Sequence, residues 1–559
     1  MELNRRTALG VGLGGLTAAL TGCTDELRRP AAETAAPSTS PAAPSTSNAL
    51  VIGAADSPAV RDPYRSWDTE VFRRSRQVCQ TLLGIDPQTG AARPWLARTH
   101  EVSADGRQHT FVLHDGLRFS DGTACDADAV VANVRRWAEA STSSGGPEQI
   151  GSPFVTVFGA PADHRQCRFD SVEAHGRHTV RLHLTHRLRH LPAALTSPQF
   201  AILAPGCWED DGAASTPIGT GPHRWATRSE AEKTLKQAGR EPTEADDTDV
   251  FLLNEHHNDQ TGQSPAARTV LVDALGRAPT RLRQLRRGKV DVIDVVTPDQ
   301  LRPLVETGAQ VLQRDPLSVL YLGMNLSHPV MRSLYVRQAV ARGVDRPALA
   351  RNPIFLDGTA LAHDVVPPTL GVDPEAAERY DVHPGEAKRL LSRAGYEQEP
   401  LELMYPTGTG RPSMPQPEQI YAQVAEDLGK IGLHVVPVPV PPSQDYLRAV
   451  LERGSRAMHL MSRDGLYRDA HAFLEPLCRS STAETHYDNP QTRRLLREAA
   501  GADDEDRRTA YARIVRSLSL DLPVLPLVYP ISAVAIGERV GRYPSSPQLD
   551  EHWADIRLS

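Results

Sequence analysis

The amino-terminal segment limits where this chain works and how much of it can join a folded core. Arg5 and Arg6 precede an uncharged run over residues 8–20, and two small residues then lead to Cys23. A charged start, a short apolar stretch and a small-residue site are typical of a secretory signal. The run is shorter than the roughly 20 apolar residues that a membrane-spanning helix needs. Residues 1–22 are therefore predicted to be a signal peptide, with the mature chain working outside the cytosol.

The sequence Leu20-Thr21-Gly22-Cys23 resembles the lipobox of bacterial lipoproteins, in which cleavage precedes the cysteine. The resemblance implies that the Cys23 thiol carries a diacylglyceryl group, which anchors the protein on the extracytoplasmic face of the cell membrane. Asn4–Leu9 also resembles a twin-arginine signal, and the general secretory route stays open as the alternative. Residues 23–48 are mostly Ala, Pro, Ser and Thr, too poor in large apolar groups to repay ordering. They are predicted to be a flexible, lipid-anchored linker.

The composition of the chain excludes several classes of protein. A chain of 559 residues is long enough for several domains. It is 40% apolar and 23% charged, which is ordinary for a globular protein, and its net charge is -7. Lys and Arg are spread along the chain, without the basic stripe that a nucleic-acid partner requires. Five further cysteines have no CxxC spacing, so zinc and redox sites are not indicated and any disulfide pairing stays open. These cysteines are Cys79, Cys125, Cys167, Cys207 and Cys478.

From residue 49 onward, strand and helix patterns are mixed, which indicates α/β or α+β architecture. Strands are predicted at residues 49–55, 110–114 and 179–184, and helices at residues 71–83 and 126–137. Prolines alternate with valines from Pro437 to Pro442, which predicts an edge strand because proline cannot donate a ladder hydrogen bond. Gly219 and Gly221 bracket a turn that is predicted to need a positive φ or a close backbone approach.

Short motifs in a fixed order resemble one family, the extracellular family 5 solute-binding proteins, which are receptors of oligopeptide, dipeptide and nickel importers. The resemblance covers about residues 50–530. It implies an α/β fold with two lobes, joined by two crossovers, that close by a hinge on a ligand in the cleft. The motifs are Pro94–Ala97, Ser103–Gly106, Phe111–Thr123, Asp126–Trp137, Pro217–Pro222, Leu285–Val292, Tyr321–Asn325, Val336–Val340, Ala387–Tyr396, Asp427–Leu433 and Asp521–Tyr529.

The resemblance also implies a division of the chain and a function. Lobe I is expected at residues 49–278, with an additional subdomain at about 69–189, lobe II at 279–489, and a return to lobe I at 490–559. The implied protein is a monomer without a cofactor or an enzymatic activity. It captures a peptide or a related small solute and delivers it to the permease subunits of an ABC importer.

The family often carries the pattern Gly-Trp-x-x-Asp-Tyr at the cleft, where the Asp binds the free α-amino group of a peptide. In the corresponding stretch, Leu466 replaces this Asp, Arg463 replaces the Trp, and Tyr467 agrees with the pattern. An apolar residue beside a cation disfavours a buried ammonium, so peptides with a blocked amino group are expected to bind better. Asp464 is the possible replacement partner. The candidate ligand-binding residues are Arg463, Asp464, Leu466, Tyr467, Asn325 and Tyr321.

Motifs for other chemistry are missing from the sequence. There is no Gly-x-Ser-x-Gly elbow, no His-Glu-x-x-His zinc helix and no phosphate-binding Gly-x-x-x-x-Gly-Lys-Ser/Thr loop, so no catalytic or metal residue is predicted. The doublet His256-His257 is a weak metal candidate, because adjacent side chains face different ways. A tethered sensor or hydrolase, and binding of a non-peptide solute such as a metal chelate, stay open as alternatives.

Overall fold

The computed structural model describes residues 49–559, except residues 59, 143–151, 242–243, 245–246, 259–264, 315–316, 409, 466, 480–483 and 547–550. The predicted signal peptide, Cys23 and the linker to residue 48 lie outside the described residues. None of the helices within the described ranges combines the length and the apolar character that crossing a bilayer requires.

The described strands are, in chain order, β1 (Ala49–Ala54), β2 (Leu83–Ile85), β3 (Ala92–Pro94), β4 (Ala97–Val102), β5 (Gln108–Leu113), β6 (Phe169–His175), β7 (Thr179–Leu184), β8 (His223–Trp225), β9 (Thr248–Leu253), β10 (Thr269–Ala274), β11 (Val292–Ile293), β12 (Gln310–Arg314), β13 (Ser318–Met324), β14 (Ala360–Leu361), β15 (Leu401–Pro406), β16 (Val435–Val440), β17 (Met458–Asp464), β18 (Val524–Tyr529), β19 (Ser532–Ile536), β20 (Val540–Arg542) and β21 (Arg557–Leu558).

The described α-helices are α1 (Thr69–Val78), α2 (Ala127–Thr142), α3 (Pro153–Phe158), α4 (Leu191–Ala194), α5 (Arg228–Gln237), α6 (Ala278–Arg286), α7 (Pro298–Glu306), α8 (Leu334–Gly343), α9 (Arg346–Ala350), α10 (Pro384–Ala394), α11 (Pro417–Lys430), α12 (Tyr446–Glu452), α13 (His471–Cys478), α14 (Pro490–Gly501) and α15 (Asp504–Asp521). Short 3-10 helices lie at Pro63–Arg65, Pro198–Phe200, Pro205–Cys207, Pro368–Leu370 and Trp553–Asp555.

Lobe I is built on a seven-stranded sheet in the order β12-β19-β11-β1-β10-β9-β8. Its central strand β1 runs parallel to both neighbours, β10 and β11, and is buried along its whole length. Central parallel strands are covered on both faces, which explains the continuous apolar run of β1. The predicted strand at residues 49–55 is therefore confirmed.

Lobe II is built on a six-stranded sheet in the order β14-β18-β13-β17-β15-β16. The strand β16 lies at its edge and, among the described strands, pairs only with β15, in parallel. Pro437 and Pro439 lie opposite Leu403 and Tyr405 in this register. The edge strand predicted from the alternating prolines is confirmed, because an edge leaves one side of the strand without hydrogen-bond partners in the sheet.

The strand order places the lobe boundaries elsewhere than the predicted division at residues 278 and 489. The strands β11 and β12 belong to the first sheet, whereas β18 belongs to the second sheet, and α14 and α15 pack beneath that second sheet. The chain therefore enters lobe II between Arg314 and Ser318 and leaves it between Tyr529 and Ser532. Strands of two to six residues carry no local signal of which sheet they join, because long-range pairing decides it.

A subdomain of lobe I contains the four-stranded antiparallel sheet β4-β5-β7-β6, with α2 and α3 packed in the same hydrophobic core. The predicted strands at residues 110–114 and 179–184 and the helix at 126–137 are confirmed as β5, β7 and α2. The helix predicted at residues 71–83 ends earlier, at Val78. It stops there because Gln80 pairs with Ile202 in an antiparallel bridge and the chain continues extended into β2.

Candidate functional site

An ion-pair cluster at the start of α1 joins lobe I to lobe II. Asp68 caps this helix, with its Oδ1 accepting a 2.8 Å hydrogen bond from the Glu70 amide. Asp56 follows β1 in the same lobe. From lobe II, the Arg411 guanidinium donates to Asp68 Oδ2 at 2.8 Å and to Asp56 Oδ2 at 3.4 Å. One arginine of lobe II thus bridges two carboxylates of lobe I.

A second polar contact lies beside this cluster. The Thr69 hydroxyl, on the first residue of α1, donates to Asp464 Oδ2 at 3.1 Å. Asp464 is the last residue of β17, so it belongs to lobe II. In the same loop as Arg411, Ser413 bonds to Ser462 through their hydroxyl groups at 2.9 Å. Among the described candidates, Asp464 thus makes a side-chain hydrogen bond from β17 of lobe II to α1 of lobe I.

Burial sets the electrostatics of this interlobe cluster. Burial raises the pKa of Asp68, and the nearby Arg411 charge only partly offsets it. Burial likewise raises the pKa of Asp464. Burial by itself would lower the pKa of the Arg411 guanidinium. The negative charges of Asp68 and Asp56 outweigh burial and raise that pKa above its usual value. The planar guanidinium of Arg411 is suited to bind a carboxylate, and the carboxylates of Asp56 and Asp68 are suited to bind a cation. A ligand that carries both a carboxylate and a cation can therefore replace the contacts that these three side chains make with one another.

Tyr321 and Arg463 belong to a different cluster, centred on Glu484. The Tyr321 hydroxyl donates to Glu484 Oε1 at 2.6 Å, and His459 Nε2 lies 3.2 Å from the same oxygen. Arg463 Nη2 donates to Glu484 Oε2 at 3.1 Å and to the Tyr321 hydroxyl at 3.2 Å. Gly323 makes room for this arrangement, because a Cβ at that position would lie 2.1 Å from the His459 ring. The cluster is a closed hydrogen-bond network within lobe II.

The charges in the Glu484 network compensate one another. Burial would raise the pKa of Glu484, but the hydrogen bond from His459 and the charge of Arg463 outweigh it and lower that pKa to about 2. Burial lowers the pKa of His459, so a neutral imidazole donates from Nε2. Arg463 therefore does not present a free cation to the ligand, as the sequence had led us to expect, because Glu484 balances its charge.

The other predicted candidates have structural contacts or lie outside the described residues. The Asn325 amide donates to the backbone carbonyls of Gly454 and Arg456, at 3.2 and 2.9 Å, and holds the end of β13. Tyr467 is buried in the subdomain core, with its hydroxyl 3.2 Å from His471 Nδ1. Leu466 lies outside the described residues.

The weak metal candidate has a backbone contact instead. His257 Nδ1 lies 2.8 Å from the Thr220 carbonyl oxygen. Across the described ranges, the structure has no group of three or more His, Cys, Asp and Glu side chains arranged to hold a metal ion.

Sequence reasoning missed Asp56, Asp68 and Arg411. Asp68 had a readable signal, because an Asp before Thr and Glu is a typical helix cap. Arg411 lies in a loop of Gly, Thr, Pro and Ser, and nothing local distinguishes it from the other arginines. Its partners Asp68 and Asp56 are 343 and 355 positions away in the sequence.

The comparison with protein families decides the classification. Residues 91–485 match the bacterial extracellular solute-binding proteins, family 5 Middle. The chain belongs to this family. Three relatives of this family 5 protein bind different solutes. They are the heme-binding protein A of Haemophilus influenzae (24% identical, covering 85% of each chain), the nickel-binding periplasmic protein of Escherichia coli (26%, 83% of this chain and 86% of the relative), and the di/tripeptide-binding protein 2 of Pseudomonas aeruginosa (24%, 91% and 94%).

Solved structures show the same two-lobed α/β fold. A dipeptide-binding protein from Pseudoalteromonas in complex with Met-Leu has a TM-score of 0.79 at 20% identity, covering 91% of this chain and 100% of the other. A periplasmic binding protein from Helicobacter pylori in complex with peptide STSA has a TM-score of 0.77 at 19% identity, covering 91% and 98%. As a member of family 5, the chain is an extracellular solute-binding protein, and the structural comparison confirms its predicted two-lobed α/β fold class.

Proposed function

We propose that this family 5 protein is a lipid-anchored receptor on the extracytoplasmic face of the membrane. It captures a small peptide between its lobes and delivers it to the permease subunits of an ABC importer. We infer that the ligand is a peptide from the interlobe cluster of Arg411 with Asp56 and Asp68. A peptide with free ends carries one carboxylate and one ammonium, which complement this guanidinium and these acids. The relatives and solved structures named for peptides support the same class.

The interlobe cluster also provides a mechanism for closure. A ligand shifts the protein toward the closed form only if it binds that form better than the open one. Arg411 comes from lobe II and the two carboxylates from lobe I, so a ligand that contacts both sides is bound fully only when the lobes meet. The ligand groups replace the ion pairs that the protein makes with itself, and the charges stay compensated.

Replacing Arg411 by Gln should weaken peptide binding about 10- to 100-fold, because a hydrogen bond to a charged group contributes about 1.5–3 kcal/mol. Thermal-shift screening of a di- and tripeptide library, followed by calorimetry on the hits, measures this loss. The wild-type protein should be stabilised by about 2.7 kcal/mol when a peptide is present at 100 times its Kd.

The matched control for this prediction is Arg453→Gln in the same lobe. Arg453 is exposed and pairs with Glu402 on the surface at 2.6 Å, so its loss should leave binding unchanged. If no peptide in the library shifts the wild-type melting temperature, the peptide class is wrong. If peptides bind equally well to the Arg411 variant, the site is placed wrongly.

Cys23→Ala should move the protein out of the membrane fraction, because the acyl chains that provide the anchor have no attachment point. Fractionation with immunoblotting, together with the mass of the mature protein, measures the change. Cys207→Ala is the control, since this half-buried thiol of lobe I has no part in the proposed lipidation. Unchanged membrane retention and unchanged mass in the Cys23 variant would contradict the lipoprotein assignment.

A further inference from the structure

A short segment of the lobe I subdomain, residues 187–190, lies against helices of lobe II. Leu188 packs in the subdomain core, and His190 Nε2 lies 2.9 Å from the Val157 carbonyl oxygen of α3, so the 187–190 segment is fixed to lobe I. The His190 ring stacks on the ring of His471 in α13, with centroids 3.7 Å apart. The segment therefore reaches from the subdomain to lobe II.

The same segment contacts the turn between α14 and α15. The Arg189 amide donates to the Ala500 carbonyl oxygen at 2.8 Å. Ala500 lies in the last turn of α14, whose carbonyl groups have no partner within the helix, so lobe I caps a helix of lobe II. The next residue, Gly501, lies so close that an added Cβ would be 3.3 Å from the Arg187 carbonyl oxygen.

Opposite charges face each other at this contact. Arg187 Nη1 lies 3.3 Å from Asp503 Oδ1, and Arg189 Nη2 lies 3.3 Å from Asp504 Oδ1 and 3.6 Å from Asp503 Oδ1. The two acids stand at the start of α15, where the helix dipole favours negative charge. The four side chains are between 35% and 77% exposed, so water and salt reach these ion pairs.

This second contact between the lobes shares no residue with the interlobe cluster of Arg411, Asp56 and Asp68. A ligand that replaces the ion pairs of that cluster leaves the 187–190 segment and its partners in place. The second contact therefore stabilises the closed form both with and without a ligand. Any increase in the closed fraction raises the apparent affinity of a ligand that binds the closed form better.

We propose that the 187–190 segment is an electrostatic latch, which holds the subdomain against the α14–α15 turn and sets the fraction of the protein that is closed without ligand. The inference goes beyond the proposed function, because the latch acts on closure itself, whichever solute fills the cleft. Ion pairs between exposed groups weaken as the salt concentration rises. The latch thus makes both closure and affinity depend on ionic strength.

The test removes the charges of the latch from lobe II by combining Asp503→Asn with Asp504→Asn. Each exposed ion pair changes an equilibrium about twofold, so the affinity for trialanine in 50 mM NaCl should fall about fivefold by titration calorimetry. In 0.5 M NaCl, where the Debye length is about 4 Å, the difference from wild type should shrink. The matched control combines Glu505→Gln with Asp506→Asn, which removes two charges from the same first turn. Within the described part of the chain no ion pair joins these two acids to lobe I, so the control should bind like wild type.

Small-angle scattering without ligand makes the test independent of the ligand. In 50 mM NaCl the double variant at Asp503 and Asp504 should have a larger radius of gyration than wild type and the control. Gly501→Val places a side chain between the lobes without changing the charge, so it should enlarge the radius at both salt concentrations. Gly429→Val, near the end of α11, should not, because an added Cβ there meets no described atom within 4 Å.

The outcomes separate the latch from the peptide proposal. If the double variant and its control have the same affinity and the same radius of gyration, the inference falls. It also falls if affinity drops while the radius without ligand is unchanged, or if the differences persist undiminished in 0.5 M NaCl. If scattering separates the double variant from wild type but neither protein binds a peptide, the latch stands and the peptide class is wrong.

Discussion

Replacing Glu484 by Gln is expected to lower the free energy of unfolding by about 3–5 kcal/mol, the usual result of removing one partner from a buried charge pair. Gln keeps the shape of Glu484 but removes the negative charge that balances Arg463, whose side chain is 15% exposed. It also weakens the acceptor for the Tyr321 hydroxyl and the His459 imidazole. Urea unfolding at pH 7, followed by circular dichroism, measures the loss.

The pH dependence gives the same prediction a second readout. The folded pKa of Glu484 is about 2, below its ordinary value of 4.5. Its stabilising contribution is therefore complete above about pH 4.5 and is lost as the pH falls toward 2. The Gln variant lacks this group, so the stability difference between the two proteins should shrink steadily between pH 5 and pH 2.

The matched control for Glu484 is Glu452→Gln. Glu452 pairs on the surface with Arg448 one helical turn away, at 2.7 Å, and its side chain is 55% exposed. Exposed pairs of this kind contribute about 0.3–0.5 kcal/mol. If both variants unfold at the same urea concentration, the Glu484 network does not stabilise lobe II, and Tyr321 and Arg463 return as candidates for ligand binding.

Gly221→Ala is expected to lower the stability of lobe I by about 2–3 kcal/mol, because a Cβ has no space at this position. It would lie 2.5 Å from the Gln77 carbonyl oxygen and 2.6 Å from the Val78 carbonyl carbon, both of them backbone atoms. The Gly221 amide donates to the Val78 carbonyl at 2.7 Å, so the two segments cannot separate without losing that bond. The end of α1 would have to shift, and the other end of this helix, Thr69 with its cap Asp68, lies at the interlobe cluster.

Gly206→Ala serves as the control for Gly221, because an added Cβ there meets no described atom within 4 Å. Thermal unfolding and peptide calorimetry should show that Gly221→Ala alone loses stability and affinity together. If the Gly221→Ala variant is as stable as wild type, the end of α1 moves away from the added Cβ without a cost in stability. Normal stability with weakened binding would instead point to a direct role of the turn in the ligand site.

The sequence predicted those elements whose signal lies in the local residues. The apolar run of β1 predicted a strand buried on both faces. The alternating prolines of β16 predicted an edge strand, because proline has no backbone N–H to donate to a neighbouring strand. Gly219 and Gly221 were predicted to need a positive φ or a close approach, and both have the close approach to residues 77–79. The ordered motifs predicted the family and with it the two-lobed fold.

The candidate site was less predictable, because its residues act through distant partners. The sequence predicts Arg463 to be an unpaired cation beside the ligand, but in the structure Glu484, 21 positions later, neutralises it. Asn325 and Tyr321 lie in the most recognisable motif, yet their side chains hold a strand end and a buried network. A motif identifies positions that a family uses, and the partners in the particular chain decide what each side chain does there.

The sequence by itself determined the class of fold, the strand and helix propensities and the predicted export and anchoring segments, because these depend on neighbouring residues and their intrinsic preferences. Only the tertiary structure decided that β11 and β12 join lobe I, that Arg411 meets Asp56 and Asp68, and that residues 187–190 lie against the turn between α14 and α15. Ion pairing and desolvation depend on which groups come within a few ångströms of each other and how much water is excluded. Long-range packing sets both, and local sequence carries no record of either.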